Sequence, residues 1–479
     1  MSLSVEEILK ATDGELLAPG KNLFTGFLID SRQASGGELF FPLQGEKEDG
    51  HSYIADALRK GAAGSLLERG RQNTLRGVDL PRGKTLIAVD DTLQALHKLA
   101  CLKRQKYLIP LIAITGSNGK TTTKDFVASV LATSFNVLKT EGNLNNHLGL
   151  PLTLLQLDKG HEMAVLEMGM SGPGEIALLA SLARPSLGIV TNIGEAHIEH
   201  LGSVENIFRA KNELLVAMGE KGTAFLNGDD HYLRRMGEDF PGQVSYFGFG
   251  KKVNLRAVNY FSCGDGVRFT ALMPGMDLQE FQIPVPGKHN VYNALAAVAV
   301  GLHFNMEIDK IRQGLAGAGI SAMRMERRVA GGGFEVINDT YNASPSSMKA
   351  ALLTLRDLAG KGRAIAVLGD MLELGDMAEE GHLGIGKYLA DLSLDYLVTV
   401  GEQAALIGQG AREAGFAGER IYEAKNPREA LEHLFSIGLE KSCILVKGSR
   451  AMRLEQIAEG LLSGCQGSGI QHTDGGKRT

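Results

Sequence analysis

The sequence predicts an α/β protein of three domains. These are a small mixed α/β N-terminal domain over residues 1–104, a central parallel-sheet domain built on a phosphate-binding loop over 105–318, and a Rossmann-like α/β domain over 319–462. Three observations predict this. A length of 479 residues suggests about three domains. Short apolar runs alternate with helical patterns, which implies parallel sheets. Those runs end repeatedly in polar residues, where the ligands of such sheets sit.

The composition is that of an ordinary globular chain, with 44% hydrophobic and 22% charged residues. A formal net charge of −5 gives no reason to expect nucleic acid or a membrane surface as a partner. The four cysteines, Cys101, Cys263, Cys443 and Cys465, form no C-x-x-C pair, which argues against a zinc module or disulfide scaffold and fits a reducing compartment. No apolar stretch is long enough to span a bilayer, and no basic segment followed by an apolar core opens the chain. The expected location is the cytoplasm, without stable membrane insertion. Residues 463–479 are Gly/Ser/polar and read as a disordered tail.

In the first domain, polar clusters fall at Asp30-Ser31-Arg32, at Gln44-Gly45 after Phe40-Phe41-Pro42-Leu43, and at Asp49-Gly50-His51. A helical stretch from Thr92 to Tyr107 reads as the linker into the second domain. There the apolar run Leu108 to Ile114 reads as a buried strand. It breaks at Gly116-Ser117-Asn118-Gly119, and a helical pattern starts at Lys120, with Phe126/Val130 and Val127/Leu131 at i,i+4 spacing. Strand, glycine turn, lysine, hydroxyl and helix is the arrangement that holds nucleotide phosphates. Backbone N–H groups surround the anion, the lysine neutralises the β/γ oxygens, and a hydroxyl reaches Mg²⁺. The loop is the shorter G-x-x-G-K-T form, because Ile114 stands six residues before Lys120.

Further strands end in loaded residues. Met163–Leu166 runs into Glu167, placed as a Walker-B acid is to hold a metal near phosphates. The bland alternative is a solvated or helix-capping glutamate. Leu187–Val190 leads to Thr191-Asn192 and His197, which by spacing is as compatible with a structural histidine as with a ligand. Lys211 reads by composition as a solvated helix lysine. Gly287-Lys288-His289-Asn290, with Asn293, opens an alanine-rich helix. In the third domain, strands at Phe334–Asn338, Ala364–Leu368, Leu397–Val400 and Ile444–Val446 precede Asp339, Gly369, Gly401 and Lys447. Asp339-Thr340-Tyr341-Asn342-Ala343-Ser344-Pro345 fits an Asx-capped turn or a ligand site equally. Lys447-Gly448-Ser449-Arg450 fits a carboxylate site or a plain helix start. Asn143, Asn145 and Asn146 read as a polar loop.

Taken together, Thr115 to Thr122, Glu167, Asn192-Ile193-Gly194 with His197, Gly287 to Asn290 with Asn293, and Arg324 resemble the Mur ligases, in the family's order and over nearly the whole chain. Asp30 to Arg32, Gln44-Gly45 and Asp49 to His51 resemble that family's uridine-binding domain. Asp339 to Pro345, Leu368-Gly369-Asp370-Met371 and Asn143 to Pro151 resemble its MurF type; the Asp-Asn-Pro-Arg motif of the MurE type is absent. The resemblance implies an ATP-dependent amide ligase that phosphorylates the carboxylate of UDP-N-acetylmuramoyl-tripeptide and passes the acyl group to D-alanyl-D-alanine.

It also implies roles. Gly116, Asn118, Gly119, Lys120, Thr121 and Thr122 hold the phosphates and, through the threonines, Mg²⁺. Glu167 and His197 hold a second Mg²⁺, aided by a carbamylated Lys211. Asn290 and Asn293 meet adenine, Asp339 the ribose, and Arg324 the γ-phosphate, with Arg327 and Arg328 as rivals for that last role. Asp30, Ser31, Arg32, Gln44, Asp49 and His51 meet the uridine substrate. Asn143, Asn145, Asn146, Tyr341, Asn342, Lys447, Ser449 and Arg450 are further substrate contacts. The expected state is a monomer whose domains close over the site. Two competing readings are a sister amide ligase with another acceptor and a nucleotide switch without ligase chemistry.

Overall fold

The computed structural model describes residues 2–464 apart from Glu46, residues 76–80, Asp265 and Pro274. Its first sheet has the order Glu15–Ala18, Thr85–Val89, Gly64–Glu68, Glu38–Phe40, Gly26–Leu28, parallel except for the first strand. Thr85–Val89 is buried along its whole length, as an interior strand covered on both faces must be.

The linker helix spans Thr92–Lys106, and the Asp91 side chain caps it by accepting the Gln94 N–H. It does not stop at a domain border. Lys103 Nζ donates to the Leu157 carbonyl at 3.1 Å and Arg104 Nε to the Ala183 carbonyl at 2.7 Å, so one rigid rod carries the first domain onto the second. The following strand starts later than its apolar run suggests. It is Leu111–Thr115, and Leu108 is 88% exposed. Pro110 has no N–H to give a sheet, and the Arg104 guanidinium takes the carbonyls of Tyr107 and Ile109.

Leu111–Thr115 sits inside a nine-stranded sheet, flanked by Met163–Glu167 and Leu187–Val190. The chain moves outward in one direction to Val137–Lys139 and in the other to Thr223–Asn227 and Gln243–Gly248, all parallel. The crevice at such a reversal, beyond the carboxyl ends of the strands, is where ligands of open α/β sheets bind. An extension the sequence pattern did not reveal continues the sheet through Leu255–Cys263, Gly266–Leu272 and Gln279–Ile283, the last two pairings antiparallel.

The third domain has a six-stranded sheet of order Glu326–Val329, Glu335–Asn338, Ser442–Lys447, Arg363–Gly369, Tyr396–Val400, Ile421–Ala424, with only the first strand antiparallel. Its strand ends bring Asp339, Asp370 and Lys447 to one rim. Apolar residues from all three domains, from Leu3 through Leu166 to Leu445, belong to one packed cluster. The last helix runs Glu455–Ser463 with Gly464 as its C-cap, so these two residues are structured rather than tail; residues 465–479 lie outside the described residues. Among the described residues no helix is long and apolar enough to cross a membrane.

Candidate active site

Gly116 and Gly119 shape the phosphate loop. Gly116 has φ +143°, and a Cβ there would lie 1.9 Å from Thr191 Oγ1; Gly119 has φ +80°, and a Cβ would meet Asn293 Oδ1 at 2.6 Å. Only glycine fits both. The helix Lys120–Ala132 therefore starts with no side-chain cap, and its first N–H groups are left for an anion. Lys120 folds back over the loop, donating to the carbonyls of Gly116 (2.9 Å) and Ser117 (3.2 Å). Burial pushes its ammonium below the usual lysine value, Glu167 opposes this, and Arg324 adds to it.

Arg324 enters from the third domain. Its Nη2 donates to Thr121 Oγ1 at 2.7 Å, its guanidinium lies 3.9 Å from the Tyr341 ring centre, and its Nε is buried without a partner. Arg327 is instead held by Glu335 and Arg328 by Glu326, both on the edge hairpin. Geometry thus separates three arginines that sequence left together.

Glu167 ends its strand, buried. Asn145 Nδ2 donates to its Oε1 at 2.8 Å, while Oε2 is buried with no hydrogen-bond partner. The Asn143 carbonyl accepts the Asn145 N–H, and Asn146 Oδ1 accepts from Leu148 and Gly149, fixing the loop. His197 has φ +66°, and its Nδ1 lies 2.5 Å from Glu373 Oε2 of the third domain. Lys211 is 1% exposed, with no hydrogen bond or ion pair among the described residues. Burial first, and the Lys120 charge second, hold its amine well below the ordinary lysine value. The solvated-lysine reading of this position is therefore corrected by the packing of the helix Val204–Met218.

Asn118 ties the loop to the third domain: its Nδ2 donates to Ser346 Oγ (3.1 Å) and its Oδ1 accepts from Ser344 Oγ (3.2 Å). Ser344 also caps the helix Pro345–Ala359. Asn290 and Asn293 open the helix Lys288–His303 and bond each other at 3.0 Å; Thr123 donates to Asn293 at 3.2 Å. Asp339 pairs with buried Lys447 at 2.6 Å, and Lys447 also donates to the Asn342 carbonyl at 2.9 Å. Ser449 Oγ accepts the Leu372 N–H, and Arg450 pairs with Glu455 at 2.8 Å.

These groups face one cavity of about 840 Å³ between the second and third domains. It is lined by the loop from Asn118 to Thr122, by Asn145, Asn146, Glu167, His197, Asn290, Asn293 and Arg324, and by Asp339, Tyr341, Asn342, Lys447, Ser449 and Arg450. Gly116, Asn143 and Lys211 lie outside its lining, as does the first-domain set. In that set, Asp30 holds Arg32 (2.8 Å), Ser31 donates to Asp56 (2.7 Å), and Arg71 bonds both Gln44 and Asp49. Both ring nitrogens of buried His51 are used internally, by Asp49 and by the Glu68 N–H. Sequence reasoning missed Glu373 and Asp125. The latter, on the phosphate-loop helix, accepts from Ser321 N and Oγ at 2.9 and 2.8 Å.

Among the described residues no cluster of three or more His, Cys, Asp or Glu stands ready to hold a metal alone. The donors present are single ones: the unpaired Glu167 oxygen, the His197 ring and the threonine hydroxyls. That set suits a Mg²⁺ ion, which keeps few protein ligands and completes its shell with phosphate oxygens and water.

Comparison with known proteins covers the same ground. The Mur ligase family catalytic domain matches residues 24–104, the Mur ligase middle domain 114–301, and the Mur ligase glutamate ligase domain 323–450. The UDP-N-acetylmuramoyl-tripeptide–D-alanyl-D-alanine ligase of Bacillus subtilis (strain 168) is 39% identical over 461 residues, 96% of this chain and 98% of its own. The enzyme of the same name from Escherichia coli (strain K12) is 32% identical, over 96% and 98%. A crystal structure of MurF from Acinetobacter baumannii superimposes with a TM-score of 0.86 at 30% identity, covering 97% of this chain and 99% of that one. MurF from Thermotoga maritima in complex with ADP gives 0.79 at 27% identity, over 91% and 97%. This chain belongs to the Mur ligase family, in its MurF branch.

Proposed function

We propose that this chain is the ATP-dependent ligase that joins D-alanyl-D-alanine to UDP-N-acetylmuramoyl-tripeptide, giving UDP-N-acetylmuramoyl-pentapeptide, ADP and phosphate in peptidoglycan precursor synthesis. The observation that carries it is the single cavity in which the phosphate loop, Glu167 and Arg324 face Tyr341, Asn342 and Arg450.

The substrate carboxylate attacks the γ-phosphorus of ATP, and the bond to the β-phosphate oxygen breaks to release ADP. The deprotonated amine of D-alanyl-D-alanine then attacks the acyl carbon; a C–N bond forms, and the C–O bond to phosphate breaks. The first step brings two anions together, so its main demand is preorganised positive charge. Lys120 and the N–H groups of the loop meet the β/γ oxygens, and Arg324 adds a guanidinium from the opposite wall. Thr121 or Thr122 would hold one Mg²⁺ and Glu167 with His197 a second, supplying further charge neutralisation when bound. Lys211, whose amine burial holds well below the ordinary lysine value, is suited to react with CO₂ and become an anionic carbamate.

Asn290 and Asn293 contact adenine and Asp339 the ribose in this reading. Tyr341, Asn342, Lys447, Ser449 and Arg450 receive the dipeptide, with the Asn143–Asn146 loop beside them. The polar group Asp30 to Arg32, Gln44 and Asp49 receives the uridine end; His51, buried with both ring nitrogens engaged, holds Asp49 from behind instead of touching substrate. The protein works as a cytoplasmic monomer. The test is oxygen transfer. With ¹⁸O in the tripeptide's terminal carboxylate, one labelled oxygen must appear in the released phosphate; unlabelled phosphate contradicts an acyl phosphate.

A further inference from the structure

We propose that Glu373 is a positioning residue for His197, so that this histidine is set for its task only while the third domain is docked on the second. The proposal rests on the reading of His197 as a cation ligand given above. A carboxylate can only accept, so the 2.5 Å contact fixes the imidazole with its proton on Nδ1. In the neutral ring Nε2 then carries the lone pair, with no partner among the described residues, in a side chain that lines the cavity. Ligand histidines generally owe their tautomer and orientation to such a bond at the other nitrogen.

The contact is built rather than casual. Glu373 and His197 are 176 residues apart and both hold left-handed backbone, at φ +62° and +66°. A second bond clasps the same two turns: the Glu199 N–H donates to the Glu373 carbonyl at 3.1 Å. Gly375 completes the fit, since a Cβ there would press on Glu199 Cα at 3.1 Å. The clasp carries the wall of the cavity that also bears Leu372, whose N–H is held by Ser449. Separating the domains removes the carboxylate from the imidazole, so geometry links domain docking to the histidine's orientation.

The experiment uses the full chain with His197→Ala, Glu373→Ala, Glu373→Gln and the double alanine variant. Amide formation is measured with KM for ATP and the Mg²⁺ concentration for half-maximal rate. Side-chain ¹⁵N spectra of the histidines are recorded without nucleotide or metal, His197 being assigned by its loss in His197→Ala. Glu373→Ala is expected to lower kcat roughly 10–100-fold, to raise the Mg²⁺ requirement, to leave KM for ATP unchanged, and to release the His197 ring from the Nδ1–H tautomer. Glu373→Gln, which still presents an accepting oxygen, should keep the tautomer and recover activity relative to Glu373→Ala. The double variant should be no worse than His197→Ala. Additive losses, or an unaltered His197 signal in Glu373→Ala, overturn the proposal. Full activity of Glu373→Ala beside an inactive His197→Ala overturns it while leaving the reading of His197 intact; full activity of both removes that reading itself.

Discussion

Replacing Arg324 by alanine separates catalysis from nucleotide binding. The guanidinium makes a 2.7 Å bond to Thr121 and stacks 3.9 Å from the Tyr341 ring centre. A hydrogen bond from a charged group is worth ~1.5–3 kcal/mol, and a partly desolvated cation–π contact ~0.5–2 kcal/mol. Those terms concern docking of the third domain. The catalytic term is larger, because an arginine that meets a transferring phosphoryl group typically contributes ~10³–10⁵ in rate. Arg324→Ala should therefore lower kcat by at least ~10³. ADP affinity should hardly change, since the glycine loop and Lys120 stay in place. Removing the Arg324 charge also relieves one of the influences that depress the Lys120 ammonium. Arg324→Lys should recover little, because an ammonium cannot both stack on Tyr341 and present a planar fork. The assay pairs pentapeptide formation with calorimetric ADP titration. Turnover close to the parent's would remove Arg324 from the chemistry; equal losses in turnover and ADP binding would make it a binding residue.

Asp125→Ala should destabilise the protein by about 3–5 kcal/mol. It leaves Lys124, 2.9 Å from Asp125 and equally buried, with only the Thr140 carbonyl, and frees Ser321 at the start of the third domain. A urea midpoint shift worth under ~1 kcal/mol would contradict this. Lys211 tests the sign of a buried amine. Its folded pKa lies well below 10.5, so between those two values the unfolded chain binds the extra proton and stability rises with pH. In CO₂-free buffer near neutrality, Lys211→Met should melt higher than the parent. The gap should close as pH climbs through about 10.4, the unfolded lysine value, and the variant should be inactive. A gap that does not depend on pH would show that burial does not depress the Lys211 amine.

What could be read from the chain, and what could not, divides along physical lines. The phosphate loop was legible because its glycines, lysine and threonines answer local demands: positive φ, close approach and an open helix end. Glu167 was legible because an interior parallel strand otherwise carries no charge. Leu108 misled, since an apolar run does not register that Pro110 has no N–H to give a ladder or that Arg104 pulls the preceding carbonyls away. Lys211 carries no local mark, because its burial comes from packing of a whole helix. Arg324, Arg327 and Arg328 are equivalent in sequence and are told apart only by the glutamates that claim two of them. Glu373 and Asp125 were invisible for a related reason: each acts on a residue of another domain.

The most direct test of the proposed reaction is acceptor dependence. Phosphate release and product mass would be followed with ATP and UDP-N-acetylmuramoyl-tripeptide, with D-alanyl-D-alanine, with single amino acids, and with no acceptor. Sustained release only with the dipeptide, matched by pentapeptide, is the predicted result. Release with a single amino acid would reassign the acceptor, and release indifferent to every acceptor would contradict ligase chemistry altogether.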